Sequence, residues 1–163
     1  MKLMKRKSTN FLRFVIILIG AGVLALCIFA LPEMREGGSA EFPTASRAVF
    51  LIMIGLYLTA IPFFVALWQT LKLLRYIDRN KAFSDSAVKT LRNIKYCAII
   101  IGVLYVAGVP LLFPIADADD APGLMIFGAA TACAPITVAV FAAVLQKLLQ
   151  NAIDIKSEND LTI

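Results

Sequence analysis

The chain has 163 residues, enough for one domain, but 60% of them are apolar and the mean hydropathy is +0.83, where a soluble domain runs near ~45 to 50% apolar. Sixteen Lys and Arg against eleven Asp and Glu give a formal charge of +5, and there is no histidine. Composition thus excludes an ordinary water-soluble domain, and the missing histidine removes His-based zinc sites, Ser-His-Asp triads and phosphoaccepting histidines.

The leader carries Lys2, Lys5, Arg6, Lys7 and Arg13, and the first uncharged stretch follows at 14–31. That stretch exceeds the ~7 to 15 residues of a signal-peptide core, and no small-x-small site leads into a soluble domain. The tetrapeptide at 24–27, LALC, resembles a lipoprotein box, but Leu26 stands where a small residue is required. The stretch is therefore read as a retained anchor. Three more uncharged stretches follow at 48–71, 96–116 and 121–146, each longer than the ~17 residues a helix needs to cross ~30 Å of hydrocarbon. None shows strand alternation, which argues against a membrane barrel. The expected fold is an all-α integral membrane protein over 1–163, a bundle of four transmembrane helices.

Charge sets the expected orientation, because Lys and Arg near span ends mark the cytoplasmic side. Besides the leader, seven sit between spans two and three (Lys72, Arg75, Arg79, Lys81, Lys89, Arg92, Lys95) and two follow span four (Lys147, Lys156). Only Arg35 and Arg47 fall between spans one and two, beside Glu33, Glu36 and Glu41. The predicted topology has both termini cytoplasmic, in a bacterial cytoplasmic membrane with the lipid bilayer as first partner. The excess basic charge then meets anionic headgroups at about 1 kcal/mol per residue.

Segment 72–95 reads as a cytosolic helical hairpin. Lys72, Arg75 and Arg79 continue span two beyond the membrane, and 79–83 makes the turn. A new helix starts near Ser84: Ser84 caps it, Asp85 meets the helix dipole, Phe83 and Val88 have staple spacing, and Asp85 and Lys89 stand at i, i+4. Trp68, Tyr76 and Tyr96 form an interfacial rim. In the tail, 147–163, an apolar stripe of Leu145, Leu148, Leu149, Ala152 and Ile153 extends span four as an amphipathic helix packed on the hairpin. The last seven residues, SENDLTI, read as a frayed end.

Chemistry-bearing residues are sparse. Cys27, Cys97 and Cys133 lack ligand spacing and read as small packing residues, and no nucleotide-binding glycine pattern occurs, so no enzyme activity and no cofactor are expected. No ionisable residue lies inside the spans, which argues against a proton or ion path. Pro62 and Pro135 fall near mid-span and are expected to kink their helices, with Tyr57, Thr59, Tyr105, Thr131 and Thr137 available for the carbonyls they free. Ala21 with Ala25 and Gly128 with Ala132 are small-xxx-small pairs for close packing, internal or in a homo-oligomer. Asp117, Asp119 and Asp120 are weak candidates for a divalent metal, since hard cations want clustered carboxylates; a solvated turn is the simpler reading. Direct nucleic-acid binding is not expected, because the basic residues lie along membrane-proximal helices without a reading motif.

Four spans, the central NKAFSDSAVKTLRNIKYCA and the terminal LLQNAIDIKSENDLTI together resemble the YoaS-like bacterial membrane family, domain of unknown function 2975. The likeness covers nearly the whole chain and is most specific at Phe83-Ser84, Leu91, Arg92 and the tail from Ile153. The resemblance implies no activity. It does imply a partnership with a small Cro/CI-type helix-turn-helix regulator, often encoded beside such proteins. The leading functional expectation is a regulatory or sensory membrane protein that docks this regulator through Phe83, Ser84, Lys89 and Arg92. The alternatives are a small oligomeric transporter or channel-like protein, and a passive immunity or assembly protein.

Overall fold

A computed structural model of the chain describes residues 2–41 and 43–161; it is helical apart from short turns, with no strand among the described residues. Four helical segments are long and apolar enough to span a membrane: Thr9–Gly38, Pro43–Asp78, Asp85–Ala118 and Gly123–Asn159. At 1.5 Å per residue, the 36 residues of the second cover ~54 Å, well beyond ~30 Å of hydrocarbon. The protein is an all-α membrane protein whose helices project past the bilayer.

Span one begins as α1 (Lys2–Ala25), widens into one π-helical turn (Leu26–Ala30) and continues as α2 (Leu31–Glu41). The π turn follows from Pro32. Leu31 N–H skips the Cys27 carbonyl and bonds that of Leu26, and in the widened register the next donor for Cys27 is residue 32, a proline without an N–H. The segment expected as a loop after span one is thus helical as far as Glu41. The leader is helical from Lys2, with the side chains of 1–8 outside the described residues.

After a 3₁₀ turn (Pro43–Ala45), α3 (Ser46–Asp78) runs through Pro62 without interruption. It ends in a Schellman arrangement: Lys81 N–H bonds the Tyr76 carbonyl at 2.9 Å and Asn80 N–H that of Ile77 at 3.1 Å, with Asn80 left-handed at φ 56°. Next, α4 (Asp85–Gly108) starts where the sequence places it. Ser84 is its N-cap, its hydroxyl accepting from Ala87 N–H at 3.4 Å and donating to the Lys81 carbonyl at 2.8 Å. Pro110 and Pro114 each remove a backbone donor, and span three tightens into a 3₁₀ turn (Val109–Leu112) before α5 (Phe113–Ala118). The 119–122 turn repeats the helix stop, with Ala121 N–H on the Ala116 carbonyl and Asp120 at φ 49°. Finally, α6 (Gly123–Leu161) passes through Pro135 and stays helical where the tail was expected to fray; Thr162 and Ile163 lie outside the described residues.

Packing follows chain order. Span three lies between spans two and four, and span one packs on span two, with no extensive backbone approach to span three or four among the described residues. Among the described residues span one makes no extensive contact with span four, so the four helices of the bundle follow one another rather than closing a ring. Spans three and four close over small residues: Ala98, Gly102, Ala132, Ala139 and Ala142 are buried, and a Cβ on Gly102 would stand 3.1 Å from Ile136 Cγ1. The outward faces carry large apolar side chains such as Ile17, Phe29, Ile61, Val103 and Phe141, all exposed and suited to hydrocarbon.

Candidate functional site

Antiparallel spans bring the leader, the 79–84 turn and the last turns of α6 to one end of the molecule, here termed the basic end. Two polar clips tie it together. Arg13 pairs with Asp78 at 2.5 Å, joining spans one and two, and Lys95 Nζ donates to Gln146 Oε1 at 3.1 Å, joining spans three and four. Leu74, Ala87, Val88 and Leu91 are buried here, Ala87 wholly. Thr90 joins them at 3% exposure because its hydroxyl donates to the Ser86 carbonyl, leaving no unmet polar group. The core of the molecule is therefore well formed outside the hydrocarbon as well as within it.

The four docking candidates divide by exposure. Phe83 is 64% exposed, Lys89 and Arg92 are exposed on the face of α4 opposite its buried stripe, and Ser84 is half-buried and occupied by the cap. Two expectations fail in detail. The Phe83 ring does not close a staple over buried Val88, and Asp85 and Lys89 do not form an ion pair. Both side chains of that pair stay in solvent, where such a pair contributes only a few tenths of a kcal/mol, about the entropy it costs. In the tail, Leu149, Ala152 and Ile153 are half-buried, while Leu145 and Leu148 face outward. Trp68 and Tyr96 are exposed, as an interfacial rim requires, and the Lys95 ammonium lies 5.0 Å from the Tyr96 ring centroid.

The hydroxyls go elsewhere than expected. Pro62 and Pro135 free the carbonyls of Leu58 and Thr131, yet Thr59, Thr131 and Thr137 donate to Leu56, Phe127 and Cys133. Tyr57 instead donates to the Cys27 carbonyl at 2.9 Å, the one stranded by the π turn. Pro32 was the signal for this, standing directly beyond the first uncharged stretch. Pro135 packs beside Gly102, its Cγ 3.8 Å from the position a Cβ would take there. The side-chain amide oxygen of Gln69, Oε1, is buried without a hydrogen-bond partner.

At the opposite, acidic end, Asp117, Asp119 and Asp120 are all exposed around the 119–122 turn, and no group of three His, Cys, Asp or Glu among the described residues has the geometry to hold a metal ion. Cys27, Cys97 and Cys133 are free thiols. The acidic half also holds what the sequence does not signal: two adjoining apolar cavities of about 330 and 450 Å³ that share Met34, Leu56, Thr59 and Tyr105.

Comparisons with known proteins agree with this architecture. The family model described as protein of unknown function (DUF2975) matches residues 33–163. The chain is similar to the uncharacterized membrane protein YoaS of Bacillus subtilis (strain 168), 52% identical over 160 residues that cover 98% of this chain and 100% of that protein. No solved structure matches. With spans two to four and the C-terminal end of span one inside the family match, and a relative alike from end to end, the chain belongs to the DUF2975 family.

Proposed function

We propose that the protein is a non-enzymatic regulatory membrane protein whose basic end faces the cytosol and docks a small helix-turn-helix regulator. The observation that carries this reading is the two-faced first half of α4. One face is buried (Ala87, Val88, Thr90, Leu91), and the other presents Lys89 and Arg92, with Phe83 exposed just ahead of the Ser84 cap. A surface already fixed by a cap and a core loses little entropy on binding. An exposed aromatic beside two cations suits a partner that meets it with an apolar pocket and carboxylates. A DNA-binding regulator has its cations on the DNA face, so it would dock through its other, acidic side. The orientation rests on the Lys and Arg bias, and the nearby leaflet supplies anionic lipid to the same residues.

The test is capture from living cells. A photocrosslinking residue at Asn93, which is exposed, should trap a small helix-turn-helix protein; Thr90 is too buried to serve. The same probe at Ala118, exposed at the acidic end, should not. Combined Lys89→Glu and Arg92→Glu should remove the capture without lowering membrane insertion. Unchanged capture in that variant would exclude this docking face.

The cavities of the acidic half favour a second reading, a small oligomeric transporter for apolar solutes. It predicts solute flux in proteoliposomes that Pro62→Ala or Pro135→Ala changes, and absence of flux for a panel of apolar solutes counts against it.

A further inference from the structure

The two cavities lie between the outer halves of the spans, from Val23 to Met34 on span one and from Leu51 to Phe63 on span two. Their lining is almost wholly apolar, and Thr59, a polar residue in it, spends its hydroxyl on the Leu56 carbonyl. Leu26, Met34, Leu51 and Phe127 line the cavities and are also exposed, so the cleft opens sideways into hydrocarbon. Each volume falls within the ~300 to 1,000 Å³ of sites that enclose small ligands.

The rim carries the second observation. Arg35 and Arg47 stand against the charge bias, at the end of the molecule where carboxylates dominate. Arg35 follows Met34 directly and lies one turn beyond Leu31; Arg47 lies one turn beyond Leu51. The three apolar residues line the cavities. The guanidinium of Arg35 rests 5.7 Å from the centroid of the Phe50 ring, and Phe50 is the i+3 neighbour of Arg47 on α3. Phe50 thus links the two: it lies under the Arg35 guanidinium, one turn along the helix from Arg47 and next to Leu51 of the cavity lining. Among the described residues neither is in an ion pair, although Glu33, Glu36 and Glu41 share α2 with Arg35. Two guanidinium groups above an apolar cleft are complementary to a phosphate joined to an acyl chain.

The geometry points to a specific phospholipid site in the acidic half: Arg35 and Arg47 hold the headgroup phosphate, and one acyl chain descends past Met34 and Leu51 to the level of Thr59. The site is independent of what the basic end holds. Its ligand is a lipid of the surrounding leaflet, and the protein reads the phosphate while the chain is accepted by shape and apolarity.

The full chain, purified in detergent, tests this by native mass spectrometry with phosphatidylglycerol and with diacylglycerol of the same chains. Phosphatidylglycerol should be retained at least about tenfold better, the worth of one charge-assisted contact or more. Arg35→Gln with Arg47→Gln should bring the two lipids level. Should that pair fail to purify, Arg47→Gln alone should narrow the preference several-fold and Arg47→Lys should keep most of it. Gly55 lines the larger cavity and a Cβ there meets nothing within 4 Å, so a side chain at this position starts into open space, and Gly55→Leu should narrow the cleft and reduce both lipids. Gly22→Leu, in equally open space outside the cleft, should change neither. Equal retention of the two lipids by the unaltered protein, a preference that survives the loss of both arginines, equal effects of the two leucine variants, or inorganic phosphate displacing the lipid completely would each overturn the site.

Discussion

Tyr57 donates its hydroxyl to the Cys27 carbonyl across 2.9 Å, fastening span two to the point where span one changes helical register. The carbonyl needs this donor because Leu31 N–H goes to Leu26 and residue 32 is proline. Inside a membrane an unmet carbonyl has no water to turn to. Tyr57→Phe is expected to lower stability in detergent by about 1 kcal/mol. In a Pro32→Ala background the same change should cost close to nothing, since residue 32 then offers its own N–H. Thermal unfolding of the four proteins in the cycle reads the coupling, and equal costs in both backgrounds would refute the assignment.

Asn80 occupies the left-handed position at the stop of α3. A β-branched residue there is strained by about 1 to 2 kcal/mol, whereas glycine is at ease. Asn80→Val should therefore lower the melting temperature and Asn80→Gly should hold or raise it. The comparison separates backbone strain from loss of the asparagine side chain, which both variants share.

Gly102 and Gly128 keep span three against span four. A Cβ at Gly102 would meet Ile136 Cγ1 at 3.1 Å and Ile136 N at 3.7 Å, so backbone as well as side chain resists it. At Gly128 the first obstacle is Leu112 Cδ1, the free end of a flexible side chain. Gly102→Val should destabilise by about 1 to 3 kcal/mol through overpacking, and Gly128→Ala by less, because Leu112 can rotate. A larger effect at Gly128 in unfolding measurements would reverse this ranking.

Gln69 buries a carbonyl oxygen with no donor. Replacing it by an apolar residue of similar size removes that desolvation cost, so Gln69→Leu should be neutral or stabilising, by up to about 1 to 3 kcal/mol. Clear destabilisation in the unfolding assay would mean that the amide is needed by a group outside the chain.

Orientation is open to direct labelling. With Cys27, Cys97 and Cys133 replaced by alanine, a cysteine introduced at Asp119 should react with an impermeant maleimide on intact cells. One introduced at Arg79 should react only after the cells are opened. The reverse pattern would invert the topology and place the exposed Lys89 and Arg92 outside.

Span number was legible because long uncharged stretches have few meanings, and the start of α4 because Ser84 and Asp85 state a cap locally. What stayed hidden depends on residues far apart in sequence. Arg13 and Asp78 are 65 residues apart, and Tyr57 meets Cys27 only once Pro32 has altered the register between them. Residue polarity alone does not reveal that Thr90 is buried, since its hydroxyl bond to the Ser86 carbonyl is what permits it. The cleft belongs to how the half-helices of the acidic end stand apart, which no stretch of residues encodes by itself. Arg35 and Arg47 were visible from the start as exceptions to the charge rule, and only their place at the rim gives them meaning.

Because each span packs on the one before it, assembly never has to wait for a later segment. A helix leaving the insertion machinery finds its predecessor already in the membrane, and the clips Arg13–Asp78 and Lys95–Gln146 close within successive pairs. Such a low separation between touching partners favours fast, stepwise folding. It also leaves span one, held mainly through span two among the described residues, as the member most readily moved relative to the rest, so tension or thickness in the surrounding lipid would be felt there first.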